Sequence, residues 1–198
     1  MPLIVFEGIS GSGKTTQVLL VLAELEKRKI PYKHFKFPRF DGRRAGKWLQ
    51  IFLSGIPEYD NKYTNNPDQA FYKNMIDSED EICQALNAGM MVIIDRYYPS
   101  LYAYSQTRGR GFKFSHESFP KIDLLFFLYV HSELALERLE KREAILNPIY
   151  NAESFLSQLQ WYEHYFYSRK IPAVVVHADD TKNRIHQAIM KEIEEIKN

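Results

Sequence analysis

The chain has 198 residues, enough for one domain at about 150 residues each and for a hydrophobic core of its own. Hydrophobic residues are 45% and charged residues 26%, which excludes disorder, collagen and coiled coil as descriptions of the whole. With 26 Lys and Arg against 25 Asp and Glu the net charge is +1, so no global field recruits a nucleic acid or a membrane, and any anion site must be built locally. The single cysteine, Cys83, rules out an intrachain disulfide and fits a reducing compartment. No apolar run approaches the roughly 20 residues that span a bilayer. The apolar start at residues 3–6 is too short for a signal peptide and lacks a basic flank, so a soluble, cytoplasmic protein is expected.

Short apolar runs alternate with amphipathic stretches, which predicts α/β with a parallel sheet. Residues 3–6 read as a strand buried on both faces. Val18, Leu22 and Leu25 follow at helical spacing, ending in basic residues 27–29. Residues 32–37 form a second strand stopped by Pro38, and residues 45–53 a short helix. Asn66 and Pro67 offer an N-cap and a first-turn proline for one long helix, which Gly89 ends. Residues 90–94 are the third strand and run straight into Asp95 and Arg96; residues 124–130 and 173–176 are the fourth and fifth. Residues 132–142 are helical, and Phe155, Leu159, Tyr162 and Phe166 share one face of another helix. The last helix carries Ile185, Ala188, Ile189, Ile193 and Ile196 on one side, behind a cap at Asp180 or Thr181. Five buried strands, each followed by a helix, bring the loops after Phe6, Phe37 and Ile94 together beyond the C-terminal strand ends, where open parallel sheets bind ligands.

Those loops hold the unusual residues. Gly8-Ile9-Ser10-Gly11-Ser12-Gly13-Lys14-Thr15 fits the phosphate-binding pattern G-x-x-x-x-G-K-[ST], between a strand and a helix as that pattern requires. The glycines let several backbone N–H groups face one anion, the helix adds its positive end, Lys14 reaches the outer phosphates, and the Thr15 hydroxyl suits Mg²⁺. Asp95 closes an apolar strand, where a carboxylate would support the metal site. Arg39 and Arg96 follow strands two and three over the same crevice, and a fork-shaped guanidinium suits a phosphate ester. Arg138 and Arg142, one helical turn apart, offer a lid over a triphosphate, against the plain alternative of a solvated helix face.

At this point the sequence resembles the thymidylate kinases. Phe6-Glu7-Gly8 leads into the loop as theirs does; Phe37-Pro38-Arg39-Phe40 with Gly46, Lys47 and Leu53 resembles their Phe-Pro-Arg segment and the helix behind it. Asp95-Arg96-Tyr97 with Ser100, Ala103 and Tyr104 resembles their most specific signature, and Pro120-Lys121-Ile122-Asp123-Leu124 and His177-Ala178-Asp179 resemble the lead into strand four and the segment after strand five. The resemblance implies a three-layer P-loop nucleotide kinase fold over residues 1–198, with a five-stranded parallel sheet flanked by helices and a lid near residues 138–151. It implies transfer of the γ-phosphoryl group of MgATP to dTMP, commonly by a homodimer. Carried over by position, Gly8, Ser10, Gly11, Ser12, Gly13, Lys14, Thr15, Thr16 and Arg138 bind ATP. Thr15 and Asp95 serve Mg²⁺. Arg39, Phe71, Tyr72, Arg96, Ser100 and Tyr104 hold the acceptor, and Lys14, Arg96 and Arg142 act on the transferring group.

The pattern departs in places. Ser10 stands where the family has an acidic residue, and Ser78 falls where it has a base-reading arginine, so that water bridges the gap, another residue such as Arg43 or Lys73 substitutes, or thymine specificity relaxes. The lid reads Asn147-Pro148-Ile149-Tyr150-Asn151 without the usual second arginine, and the glutamine expected after Tyr104 arrives one place late as Gln106. Two rival readings follow: a related kinase for another pyrimidine monophosphate or a nucleoside, and a nucleotide-binding protein without catalysis.

Overall fold

Every residue of β1 (Leu3–Glu7) and of β3 (Met91–Asp95) is buried. Alternate side chains of a strand point to opposite faces, so both faces of the sheet are covered at its centre. The computed structural model describes residues 1–54, 66–142 and 151–197. In it β1 and β3 are joined by β2 (Tyr32–Lys36), β4 (Leu124–Tyr129) and β5 (Ala173–His177) in one parallel sheet ordered β2-β3-β1-β4-β5. The sequence expectation of five buried strands needs correction at the edges. β2 and β5 each have one neighbour, and Val175 on β5 remains 54% exposed.

The helices are α1 (Lys14–Lys27), α2 (Arg44–Leu53), α3 (Pro67–Ile76), α4 (Glu79–Asn87), α5 (Tyr98–Thr107), α6 (Ser132–Arg142), α7 (Ala152–Arg169) and α8 (Lys182–Lys197). α1 packs on α8, while α5 packs on α7 with Tyr102 against Trp161 and Tyr165. Asn66 caps α3 by accepting from the Gln69 N–H at 3.1 Å, with Pro67 in its first turn, and Thr181 Oγ1 accepts from the Arg184 N–H at 3.4 Å to start α8. Among the described residues no helix is long and apolar enough to cross a membrane.

The single long helix expected between Asn66 and Gly89 is two helices. It breaks at Asp77 and Ser78, where the Ser78 N–H bonds the Met75 carbonyl at 2.8 Å and the Ser78 hydroxyl donates to the Asn74 carbonyl at 3.2 Å. A serine that bonds its own backbone competes with helix propagation, and a new helix opens with the Ile82 N–H on the Ser78 carbonyl.

That break leaves Glu79 at the start of α4 with its Oε1 buried and without a hydrogen-bond partner. Burial, and then the charge of Asp80, push its carboxyl up to about 7 from an ordinary 4.5. Between those values the folded chain holds a proton that the unfolded chain has lost, so stability falls as pH rises through that window. Glu79→Gln is expected to flatten that fall and to be more stable than the parent above pH 7, read from urea midpoints across pH. Parallel pH profiles for the two proteins would contradict this.

Candidate active site

The sheet register assembles the site. Asp95 pairs with Phe6 on one side and with Lys36 on the other, so the C-terminal ends of β1, β2 and β3 lie level. The phosphate loop leaves β1 there and packs closely against α6: a Cβ on Gly11, whose φ is +81°, would sit 2.4 Å from the Ala135 carbonyl oxygen. No side chain caps α1, so its first-turn N–H groups face the loop's hollow.

Lys14 is buried, not exposed as a lysine waiting in an open crevice would be. Its ammonium donates to the Gly8 and Ile9 carbonyls at 2.9 and 2.7 Å and to Ser12 Oγ at 3.2 Å. Burial lowers its pKa well below the ordinary value; the like charges of Arg96 and Lys36 act the same way, while Asp95 and Glu7 oppose them.

Thr15 Oγ1 donates to Asp95 Oδ2 at 2.7 Å, which brings the two expected metal-site residues together. Both donors are oxygens and Asp95 is buried, a set that suits a hard cation such as Mg²⁺. Lys36 joins them, its Nζ 3.3 Å from Thr15 Oγ1 and 3.8 Å from Asp95 Oδ2.

A cavity of about 350 Å³ opens over the loop, lined by Ser10, Gly11, Gly13, Lys14, Thr15, Thr16 and five cationic side chains in all: Lys14, Lys36, Arg96, Arg138 and Arg142. Beside it lies a second cavity of about 210 Å³, between Gln17, Arg138, Asp180 and Lys182. Arg138 lines both and donates to the Ala178 carbonyl at 2.8 Å, tying α6 to the loop before α8. The expected lid lies outside the described residues from 143 to 150.

On the other side of Arg96 is a smaller pocket of about 150 Å³. Its walls are mainly apolar, from Phe37, Pro38, Leu53, Phe71, Met75 and Leu101, with Ser10, Asp68, Arg96, Ser100, Tyr104 and Arg108. Ser10 and Arg96 line this pocket and the cation-rich cavity alike. Arg96 is the hinge of the arrangement: at φ +67° it turns back so that Nη1 donates to the Gly8 carbonyl at 3.0 Å and Nη2 to Ser10 Oγ at 3.3 Å, with its guanidinium carbon 5.4 Å from the Tyr104 ring centre.

The fully buried Glu7 carboxylate fixes this turn. It accepts from the Tyr97 and Ser100 N–H groups at 2.8 and 3.3 Å, from Ser100 Oγ at 2.5 Å and from the Tyr162 hydroxyl at 3.1 Å, thereby capping α5. Burial raises its pKa against the pull of those donors and of Arg96 and Lys14.

Two expected acceptor residues lie elsewhere. Arg39 points to Asp41 (3.1 Å), Glu81 (3.0 Å) and Ser78 Oγ (3.4 Å), with its guanidinium over Phe35, because two carboxylates outcompete an open crevice. Its hydrogen bond holds the Glu81 carboxyl below its ordinary range. Tyr72 packs with Phe112, Phe114 and Phe119, and its neighbour Phe71 takes the pocket wall. Ser78 is sealed in the α3–α4 break, Arg43 bonds Asp41 and Glu81, and Lys73 bonds Asp77, so none of the three lines the pocket.

A sequence model of the thymidylate kinase family matches residues 6–189. The chain belongs to the thymidylate kinase family. It is 34% identical over 143 residues to a thymidylate kinase of Dictyostelium discoideum, a match covering 68% of this chain and 61% of that one, so it spans less than two thirds of that relative's length. It is 31% identical over 193 residues to the thymidylate kinase of Leptospira borgpetersenii, covering 90% and 85% of the two chains, and 27% identical over 192 residues to that of Schizosaccharomyces pombe, covering 95% and 89%. The parallel sheet and its helical layers agree with the P-loop kinase fold of this family.

For this thymidylate kinase family member, sequence reasoning missed Lys36, Gln17, Asp68 and Arg108. Lys36 ends β2 level with Asp95, and the rule that led to Asp95 and Arg96 at the end of β3 would have found it. Arg108 continues the four-residue spacing of Arg96, Ser100 and Tyr104 along one side of α5.

Arg96→Ala is expected to raise the Michaelis constant of the acceptor by about 10- to 150-fold, since a charge-assisted hydrogen bond is worth about 1.5–3 kcal/mol. Arg39→Ala should change it less than about threefold, because what is lost is a partly exposed ion pair. Steady-state kinetics with ATP and acceptor varied separately will test this; equal defects would put Arg39 back on the acceptor.

Proposed function

We propose that this chain transfers the γ-phosphoryl group of MgATP to dTMP, giving ADP and dTDP on the way to dTTP. The observation that carries the reading is that Ser10 and Arg96 line both the cation-rich cavity and the apolar pocket, so that a donor phosphate in one and an acceptor phosphate in the other would meet at these side chains. The triphosphate lies in the phosphate loop with Lys14, Arg138 and Arg142 against its outer charges, and the purine in the smaller cavity beside Gln17 and Arg138. The acceptor base lies among Phe71, Met75 and Leu101, in a pocket whose size suits a single-ring base.

An oxygen of the acceptor phosphate forms the new bond to the γ-phosphorus as the bond to the β,γ-bridging oxygen breaks, and ADP leaves with that electron pair. The acceptor phosphate has a second pKa of about 6, so it is mostly dianionic at pH 7 and needs no strong general base. Catalysis is then placement and charge neutralisation. Thr15 and Asp95 would hold Mg²⁺, which neutralises phosphate charge when bound. Arg96, locked to Gly8 and Ser10, keeps the acceptor phosphate facing the donor. The single Cys83 suits a cytoplasmic setting, and family membership favours a homodimer, checked by sedimentation.

Coupled ADP release across nucleoside monophosphates and nucleosides tests the reading, with dTMP expected as the best acceptor. ATP binding with turnover of none of them would favour the non-catalytic alternative. Lys14→Met is expected to lower kcat by about 100- to 1,000-fold, the range for removing one preorganised charge at a transition state. Near-parental turnover would remove Lys14 from the mechanism.

A further inference from the structure

The acceptor pocket contains a second arginine besides Arg96, and Arg108 alone of the two stays clear of the cation-rich cavity. Its guanidinium carbon lies 5.5 Å from the Tyr104 ring centre, and that of Arg96 lies 5.4 Å from the same point. Along the chain Tyr104 lies between them, Arg96 before α5 and Arg108 at its C-terminal end, and Arg108 borders the apolar pocket without bordering the phosphate loop's cavity. Of the other polar lining groups, Ser10 and Arg96 meet at the shared boundary, the Tyr104 hydroxyl lies 3.4 Å from Ser10 Oγ, Ser100 is bonded to Glu7, and both oxygens of Asp68 are bonded by Arg110.

The backbone holds Arg108 in place. It is the C-cap of α5, its N–H on the Tyr104 carbonyl at 3.2 Å. The next turn is closed by the Arg110 N–H on the Ser105 carbonyl at 3.0 Å and the Phe112 N–H on Ser105 Oγ at 2.8 Å. The Arg110–Asp68 pair then ties this turn to α3, with Nε 2.7 Å from Oδ2. A cation at a helix C-terminus is also favoured by the helix dipole.

We propose that Arg108 reads the acceptor base, donating to the C4 carbonyl of the pyrimidine. This rests on the dTMP kinase reading. C4 lies opposite the ring nitrogen that carries the sugar, so it is the part of the base furthest from a phosphate held at Arg96. A guanidinium can only donate. It matches the C4 carbonyl of thymine or uracil and opposes the C4 amino group of cytosine, which is itself a donor. The discriminating donor thus comes from the end of α5, while the α3–α4 segment supplies the sealed Ser78.

The test compares kcat/KM for dTMP and dCMP in the parent, Arg108→Met and Arg108→Gln, with the Michaelis constant of ATP measured alongside. In Arg108→Met the preference for dTMP over dCMP should fall about 10- to 100-fold, the size of one lost charged hydrogen bond, with the ATP constant unchanged. Arg108→Gln should fall further, because its amide oxygen can accept from cytosine. If both variants keep the parental ratio within threefold, whatever happens to absolute rates, Arg108 acts only through structure or on the phosphate and the inference is overturned. If the parent turns over neither nucleotide, the kinase reading itself fails and takes the inference with it.

Discussion

A carboxylate with no contact with water holds this structure together. Glu7 ends the central strand one residue before the phosphate loop, and its two oxygens take hydrogen bonds from α5 and from Tyr162 on α7. Isolation of such a charge would be prohibitive, so nearby donors and cations must stay where they are. The loop, the start of α5 and the middle of α7 are therefore not independent parts. The left-handed backbone of Arg96, which costs about 1 kcal/mol or more for a residue with a Cβ, persists because Glu7 captures the next N–H and Gly8 captures the guanidinium. Shape, charge and strain meet within three residues of the end of β1.

Sequence reading captured what is periodic and what is sequential. The strands announce themselves as continuous apolar runs because both faces are covered, and the phosphate loop is contiguous, so its spacing can be read directly. It failed where a side chain has a choice of partners. Arg39 sits at a strand end as a phosphate-binding arginine would, but nothing in the local sequence shows that Glu81, 42 residues later, will reach it. Tyr72 and Phe71 differ by one position, which on a helix is a rotation of about 100°, and only the packing of Phe112, Phe114 and Phe119 decides which of them faces the pocket. The break at Ser78 depends on a serine hydroxyl choosing its own backbone, a competition that helical periodicity does not register.

A net charge of +1 concealed a strongly cationic site. Five basic side chains line one cavity, and among the described residues their balancing carboxylates include the buried Glu7 and Asp95 directly beneath. The imbalance is visible in Lys14, whose pKa is driven down by burial and by the like charges of Arg96 and Lys36. That ammonium donates to the Gly8 and Ile9 carbonyls and to Ser12. A polyanion would offer it, Arg96 and Lys36 a common counter-charge, relieving repulsions that the fold otherwise sustains. Interactions already paid for in folding need little rearrangement at the moment charge is transferred, which is the condition under which fixed cations accelerate phosphoryl transfer. Arg96 has a further property that Lys14 and Lys36 lack, because it also borders the apolar pocket. The strained turn that Glu7 enforces is thus what allows one guanidinium to border the cation-rich cavity and the apolar pocket together.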